Sequence, residues 1–158
     1  MLDDVPPFGL GGPRLQLPSV KALIVGCGRV GSRLAAELDR EGHEVTIVDR
    51  EPAAFDKGSA RGVFGSNFRG TFVVGDGTDA DLLRRAGIAD ADWFVVLTEG
   101  DNRNIMAAQI AQHIFKVPRV VCRIYDPIRE DAYRKLGLHS YCPTIEGADK
   151  VRRMLKEL

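Results

Sequence analysis

The chain has 158 residues, a length that suits a single domain with a buried core. Its 22 basic and 22 acidic residues balance, so its charge provides no general attraction for nucleic acid or for an anionic membrane. Its apolar runs fall short of the roughly 20 residues that a membrane-spanning helix needs.

The cysteines Cys27, Cys122 and Cys142 lack the spacing of metal ligands. Each lies in or beside a predicted strand, so we expect reduced, buried thiols in a cytosolic protein. The alternative for Cys27 is redox sensing, because it lies within a glycine turn described below.

Residues 1–19 are rich in proline and glycine and lack the basic start and apolar core of a signal peptide. We predict an irregular N-terminal arm. Either it lies on the domain or on a partner subunit through its apolar residues, or it is a loose tail.

From residue 20 onward, predicted strands alternate with predicted helices. The strands are expected at 21–26, 43–49, 71–75, 92–97, 119–124 and 139–142, and the helices at 29–41, 52–57, 79–86, 101–115, 127–136 and 145–158. This alternation predicts an α/β fold, a Rossmann-type doubly wound parallel sheet of about six strands with helices on both faces. The domain would cover 20–143, with a C-terminal helix over 144–158. The glycine-rich loop 58–70 would either be mobile or border a bound ligand, or be a plain surface insertion.

A glycine turn follows the first predicted strand and opens the first predicted helix. It contains Gly26, Gly28, Arg29, Val30 and Gly31, in the G-x-G-x-x-G spacing of a dinucleotide-binding fingerprint. Gly28 would let a pyrophosphate approach the backbone, and the helix N-terminus would face the phosphates. The alternative is a structural glycine turn that binds nothing.

The second predicted strand ends at Asp49, about twenty residues after the glycines, where an acidic residue hydrogen-bonds the adenosine ribose. A carboxylate there repels a 2′-phosphate, so NAD(H) or another nucleotide with a free ribose is favoured over NADP(H). Arg50, next to it, weakens that exclusion a little.

Ligands of such sheets bind at the carboxyl ends of the strands. The further candidates at those ends are Asp76, Gly77, Thr78, Thr98, Glu99, Asp101, Asn104, Arg123 and Asp126. Thr78, Asp79 and Asp101 could instead only cap helices. Arg123 could instead form a surface ion pair with Asp126 or Glu146.

We find no catalytic constellation and no metal site in the sequence. Tyr133 is not followed four residues later by the lysine of a short-chain dehydrogenase, since Gly137 stands there. The three histidines are scattered, without a carboxylate to orient them. This pattern favours a sensor over an enzyme.

Several motifs in one order resemble the regulator-of-potassium-conductance (RCK) family, in its nucleotide-binding lobe, also called TrkA-N or KTN. They are the glycine turn, VDR at 48–50, VVGDGTD at 73–79, LRRAGIADADWFVVLTEGDNRN at 83–104 and RVVCRIYDP at 119–127. The resemblance covers about residues 20–145. It implies a cytoplasmic regulatory subunit that gates a potassium channel or transporter, held at the inner face of the membrane by that partner.

The resemblance also implies ligands and assembly. NAD(H), ADP or ATP would bind, with AMP as a further option, in homodimers or larger rings. Arg29 and Arg123 match positions near the phosphates, Asp49 the ribose ligand and Asp76 the residue beside the adenine. The chain departs from the family at Asn102, where an acidic residue is usual, and in its longer 58–70 loop.

The chain also ends soon after residue 143, so we expect either a fragment or a single-lobe subunit with a separate C-terminal-lobe partner. The terminal helix would pack on a neighbouring subunit, as the family's crossover helix does, or fold back on its own sheet. Two other functions stay open: the coenzyme-binding domain of a small NAD-dependent oxidoreductase, and a redox sensor acting on transcription. The second lacks a basic recognition helix, and we expect no nucleic-acid partner.

Overall fold

A computed structural model describes residues 18–158, so most of the predicted arm at 1–19 lies outside the described residues. The strands are β1 (Lys21–Val25), β2 (Glu44–Asp49), β3 (Thr71–Val74), β4 (Trp93–Val96), β5 (Arg119–Arg123) and β6 (Ser140–Tyr141). The helices are α1 (Arg29–Arg40), α2 (Pro52–Ala60), α3 (Ala80–Arg85), α4 (Asp101–Gln109), α5 (Pro127–Lys135) and α6 (Pro143–Glu157). A 3₁₀ turn covers Ile88–Asp90, and a π-helical turn, Ile110–Ile114, continues α4.

The six strands form one parallel sheet in the order β3-β2-β1-β4-β5-β6. The chain starts at the centre, moves outward to β3, crosses over to β4 and moves outward again to β6. This is the strand order of the doubly wound dinucleotide-binding fold, and the predicted fold class is confirmed. The strand order reverses between β1 and β4, so a crevice forms at their carboxyl ends.

Two apolar cores lie on opposite faces of the sheet, because alternate residues of each strand point to opposite sides. Ala22 and Ile24 of β1 pack with α1 and α2 on one face. Leu23 and Val25 pack on the other face, with α3 and α4. The central strand is therefore buried on both sides, as parallel sheets require.

Some boundaries differ from the sequence-based predictions. Helix α2 runs to Ala60 and includes Gly58, whereas the sequence predicts that this helix ends at residue 57. A Cβ at Gly58 would come 2.5 Å from the Phe64 ring, so the glycine permits a packing contact that outweighs its low helix propensity. The predicted helix 101–115 is α-helical only to Gln109, before the π-helical turn.

Helix α6 begins at Pro143, which occupies its first turn, and none of its residues is buried. Its apolar side chains are exposed, including Val151 and Leu155, at 57% and 70% exposure. In the described part of the chain, no helix combines the length and the apolar character needed to cross a membrane.

Candidate functional site

A cleft of about 810 Å³ lies at the carboxyl ends of β1, β2, β4 and β5. It is lined by the glycine turn from Gly26 to Val30, by the end of β2 with the start of α2, and by the loop that follows β4. The crevice that the strand order creates is therefore the place where the predicted motif residues meet.

The three glycines of the turn serve different purposes. Gly26 has a φ of +105°, in the left-handed region that favours glycine, and its N–H donates to the carbonyl of Val48 at 2.8 Å. A Cβ at Gly31 would lie 1.8 Å from the Gly26 carbonyl oxygen, so this glycine lets α1 pack against the turn. A Cβ at Gly28 would meet nothing within 4 Å, so the backbone there faces open space.

The N-terminus of α1 opens onto this turn without a side-chain cap at Gly28. Its first turn contains no acidic residue and begins with Arg29, although a cation is unfavourable at the positive end of a helix dipole. Uncapped N–H groups and a nearby arginine together form an arrangement suited to an anion.

Asp49 is half-buried at the end of β2, and its carboxylate connects two parts of the cleft. Oδ2 accepts a hydrogen bond from the N–H of Cys27 at 2.7 Å, and Oδ1 accepts one from the N–H of Glu51 at 2.8 Å. The glycine turn and the start of α2 are thereby tied to one side chain. Each carboxylate oxygen keeps a further lone pair that can accept a hydrogen bond from a hydroxyl group of a ligand.

The cleft is predominantly basic. Three carboxylates line it, from Asp49, Glu51 and Glu99, against six cations, from Arg29, Arg50, Lys57, Arg61, Arg103 and Arg123. Within residues 18–158, none of these six forms an ion pair with a carboxylate. An excess of unpaired cations in a concave site attracts an anionic ligand.

Arg123 is only 8% exposed and is held by backbone carbonyls instead of by an acid. Its Nε and Nη2 donate to the carbonyl oxygen of Thr98, at 3.3 and 2.9 Å, and Nη2 also donates to that of Leu97. The guanidinium lies 4.8 Å from the ring centre of Tyr125. The alternative of an ion pair with Asp126 or Glu146 is wrong for the described structure, because the group is buried among carbonyls.

Asn104 is fully buried and holds β4 and β5 together below the cleft. Its Oδ1 accepts from the N–H of Thr98 at 3.1 Å and from the Thr98 hydroxyl. Its Nδ2 donates to the carbonyl oxygens of Thr98 and Arg123, at 2.9 and 3.0 Å. Because the amide is fully engaged inside the protein, Asn104 shapes the cleft without lining it.

Asp101 also holds backbone together. Its carboxylate accepts from the N–H groups of Tyr125 and Asp126, at 2.8 and 3.1 Å, and so fixes the start of α5. The idea that Asp101 caps α4 is wrong, because Gly100 occupies the N-cap position. A ligand contact by Asp101 or Asn104 stays a prediction, and both residues lie outside the cleft lining.

Asp76, Gly77 and Thr78 form a turn beside the cleft, also outside its lining. The Asp76 carboxylate accepts from the N–H and the hydroxyl of Thr78, at 2.9 and 2.8 Å. These hydrogen bonds, above all the one from the Thr78 N–H, and the charges of Arg50 and Arg103 hold the pKa of Asp76 below its usual value. Asp79 caps α3 through the N–H groups of Asp81 and Leu82, as the capping alternative expected.

Cys27 is buried at the base of the turn. Burial, and then the negative charge of Asp49, raise the pKa of its thiol to about 11, against a smaller opposing effect of Arg61. A protonated thiol is a poor nucleophile, which disfavours redox sensing by Cys27. The three cysteines are free and buried, as expected from the sequence.

Glu99, a candidate from the sequence, lines the cleft, whereas sequence reasoning missed Glu51, Ala54, Lys57, Arg61, Arg103 and Tyr125. For Lys57 and Arg61 a signal was available: two cations four residues apart, after the strand that ends in Asp49. Arg103 and Tyr125 lie within the family-like motifs at 83–104 and 119–127, but nothing in their local sequence distinguishes them as ligand contacts.

The sequence matches the TrkA-N domain over residues 22–143. The chain is 44% identical over 133 residues to the Trk system potassium uptake protein TrkA of Streptomyces coelicolor, covering 84% of this chain and 57% of that protein. It therefore spans little more than half the length of that relative.

Solved structures agree. The GsuK channel bound to NAD matches with a TM-score of 0.71 and 26% identity, over 89% of this chain and 24% of that one. GsuK bound to ADP matches with a TM-score of 0.70 and 26% identity, over 87% and 34%. The resemblance inferred from the motifs is confirmed, and the chain belongs to the TrkA-N domain family.

Proposed function

We propose that this domain is a nucleotide-binding regulatory unit of a potassium uptake system, and that its cleft takes NAD(H), ADP or ATP. The observation that carries the proposal is the basic cleft, in which the glycine turn, Asp49 and the buried Arg123 converge. The relative from Streptomyces is a potassium uptake protein, and the GsuK structures bind NAD and ADP.

The pyrophosphate of the ligand would lie on the glycine turn. Gly28 leaves the backbone open there, and the N-terminus of α1 presents its N–H groups. Arg29 supplies a mobile positive charge at the rim, while Arg123 supplies a fixed one at the floor. A buried guanidinium without an acidic partner is costly, and a bound phosphate would offset that cost.

The adenosine ribose would lie at Asp49, whose orientation is fixed before any ligand arrives. Its two backbone hydrogen bonds aim the remaining lone pairs into the cleft, so the ribose hydroxyls can donate to them without rearranging the site. Arg50 and Asp76 would then border the adenine side. These ligand contacts are proposals drawn from the geometry of the cleft.

A regulatory role fits the side chains that are present. Within residues 18–158 no group of three or more histidine, cysteine and acidic side chains could hold a metal ion. The cleft lining contains arginines, a lysine, carboxylates and backbone, but no histidine. Such a site can bind and report a nucleotide by shifting an equilibrium between subunit arrangements.

The partner would be the membrane subunit of a potassium channel or transporter, with this domain at its cytoplasmic side. Helix α6 would form the contact between copies in a dimer or ring, because its apolar side chains at Val151, Met154 and Leu155 are exposed. Nucleotides with different numbers of phosphates would engage Arg29 differently and so bias the angle between subunits. Arg29→Ala is therefore expected to reduce any preference for ATP over ADP.

Thermal unfolding of the purified chain tests the proposal, with NAD⁺, NADH, ADP, ATP and AMP added one at a time. A ligand present at about a hundred times its Kd stabilises the folded state by about 2.7 kcal/mol. That gain corresponds to a rise in melting temperature of about 5–10 °C for a chain of this size. Asp49→Ala should remove the rise, whereas Asp90→Ala, near the amino end of β4 and outside the cleft, should keep it.

The proposal is contradicted when none of the nucleotides changes the melting temperature of the wild-type chain. An equal rise in the wild type and in Asp49→Ala would place the ligand elsewhere. Equilibrium dialysis with radiolabelled ADP checks either result by a method that does not involve unfolding.

A further inference from the structure

Lys57, in the last turn of α2, and Arg61, at its C-cap, lie in the cleft, and the contacts proposed above for a nucleotide with an unmodified ribose do not use them. Lys57 and Arg61 are four residues apart, so they lie on the same side of the helix end, and both line the cleft. Neither forms an ion pair with a carboxylate of the described residues. Together with Arg50 they give the β2–α2 side of the cleft three positive charges.

These cations are close to the ribose-binding carboxylate in the fold. Helix α2 begins three residues after Asp49, and the Asp49 carboxylate holds the N–H of Glu51 just before it. On the other side the same carboxylate holds the N–H of Cys27, and the charge of Arg61 is close enough to act on the Cys27 thiol, where it opposes the rise in pKa. Arg61 therefore lies on the side of the cleft where the glycine turn meets Asp49.

The charges present on this side of the cleft do not balance. Glu51 and Asp49 are the carboxylates here, and Asp49 already shares its charge with two backbone N–H groups. Three cations therefore line this side of the cleft with two acids, one of them partly neutralised, and Arg50 also acts on Asp76 beside the cleft. In dinucleotide-binding folds, basic side chains at this position accommodate a phosphate on the ribose, while an acid alone selects the free hydroxyl.

We propose that Lys57 and Arg61, assisted by Arg50, form a second anion subsite that accepts a phosphate monoester on the adenosine ribose, as in NADP(H). The proposal rests on the proposed function, because it places the ribose at Asp49. It reverses the expectation from the sequence that Asp49 excludes a 2′-phosphate. Asp49 would accept the free ribose hydroxyl, and the guanidinium and ammonium groups would bind the phosphate oxygens with charge-assisted hydrogen bonds.

The test compares NAD⁺ with NADP⁺ by calorimetric titration, since the two ligands differ only in the 2′-phosphate. For the wild type we expect NADP⁺ to bind within about threefold of NAD⁺. For Lys57→Ala/Arg61→Ala we expect NADP⁺ to bind at least about tenfold more weakly, because two charge-assisted hydrogen bonds are lost, with NAD⁺ changed less than about threefold. The matched control Arg134→Ala/Lys135→Ala removes two cations from the end of α5, outside the cleft, and should leave both affinities unchanged.

The ratio of the two affinities distinguishes a subsite from a purely structural role, because weakened folding would change both ligands alike. Two results overturn the inference while leaving the proposed function in place. In the first, the wild type binds NADP⁺ about a hundredfold more weakly than NAD⁺. In the second, the double variant loses affinity equally for NAD⁺ and NADP⁺. If neither these ligands nor ADP and ATP bind, the proposed function fails together with the inference.

Discussion

Gly28 and Gly31 belong to the same turn, but alanine at the two positions should affect different properties. In Gly31→Ala the new Cβ would lie 1.8 Å from the Gly26 carbonyl oxygen and 3.0 Å from its carbon. Ordinary contact begins near 3.4 Å, so α1 would have to move away from the turn by about 1.6 Å. Because both atoms are backbone, no side chain can rotate to relieve the overlap. We expect a loss of about 3 kcal/mol in the free energy of unfolding, and a melting temperature about 6–12 °C lower.

In Gly28→Ala the new Cβ meets no atom, and the φ of −80° suits any residue. The melting temperature without ligand should therefore stay within about 2 °C of the wild type, since the small N-cap cost is offset by the stiffer unfolded chain. The methyl group would occupy the space into which the pyrophosphate is proposed to come, so nucleotide affinity should fall at least about tenfold.

The assay is thermal unfolding of both variants and the wild type, first without nucleotide and then over a titration of ADP and NADH. A Gly31→Ala chain that melts like the wild type would refute the packing argument. A Gly28→Ala chain that binds like the wild type would show that the pyrophosphate does not lie on the turn.

Three further predictions follow from buried or shifted groups. Asn104→Ala removes four hydrogen bonds beneath the cleft, so the free energy of unfolding, measured by urea titration, should fall by about 3 kcal/mol. Gln109→Ala, on the exposed side of α4, is the control and should change it little. Folding lowers the pKa of Asp76, so the carboxylate stabilises the folded chain above the unfolded pKa of 3.8 and loses this effect as the pH falls through the folded pKa. In Asp76→Asn, the free energy of unfolding should therefore fall less steeply with decreasing pH in the acid range than in the wild type. The pKa of Cys27 is raised to about 11, so its thiol should react with iodoacetamide at about pH 8 only after unfolding, and fast labelling of the native chain would contradict its burial.

The fold could be predicted from the sequence because its signals are local. Apolar strands such as Ala22–Val25 and helix starts such as Pro127 are readable within a few residues, and their alternation limits the topology. The predictions were inaccurate where tertiary contact outweighed local preference. The sequence predicts a helix end before Gly58, but α2 continues through Gly58, where the Phe64 ring occupies the space that a Cβ would need.

The site was predictable in place but less so in detail. The carboxyl ends of the strands and the glycine turn were found by motif and spacing, and the cleft lies there. The hydrogen-bond partners of Asn104 and Asp101 are 6 to 25 residues away in sequence, so only the folded chain shows how these side chains are used. The spacing of Lys57 and Arg61 was a weak signal, because cations near a helix C-terminus are equally expected from the helix dipole.

The strand order also has a consequence for how the chain folds during synthesis. The central strand β1 pairs with β2 immediately after the first helix, but its other neighbour is β4, with Ala22 opposite Trp93. This pairing closes a loop of about 70 residues, a long-range contact that forms slowly. Until β4 has left the ribosome, the growing chain has an unpaired edge in the middle of its future sheet, on a strand whose last four residues are buried in the finished fold. The emergence of residues 93–96 from the ribosome is therefore the step that completes the centre of the sheet and ends the period in which this strand can associate with other chains.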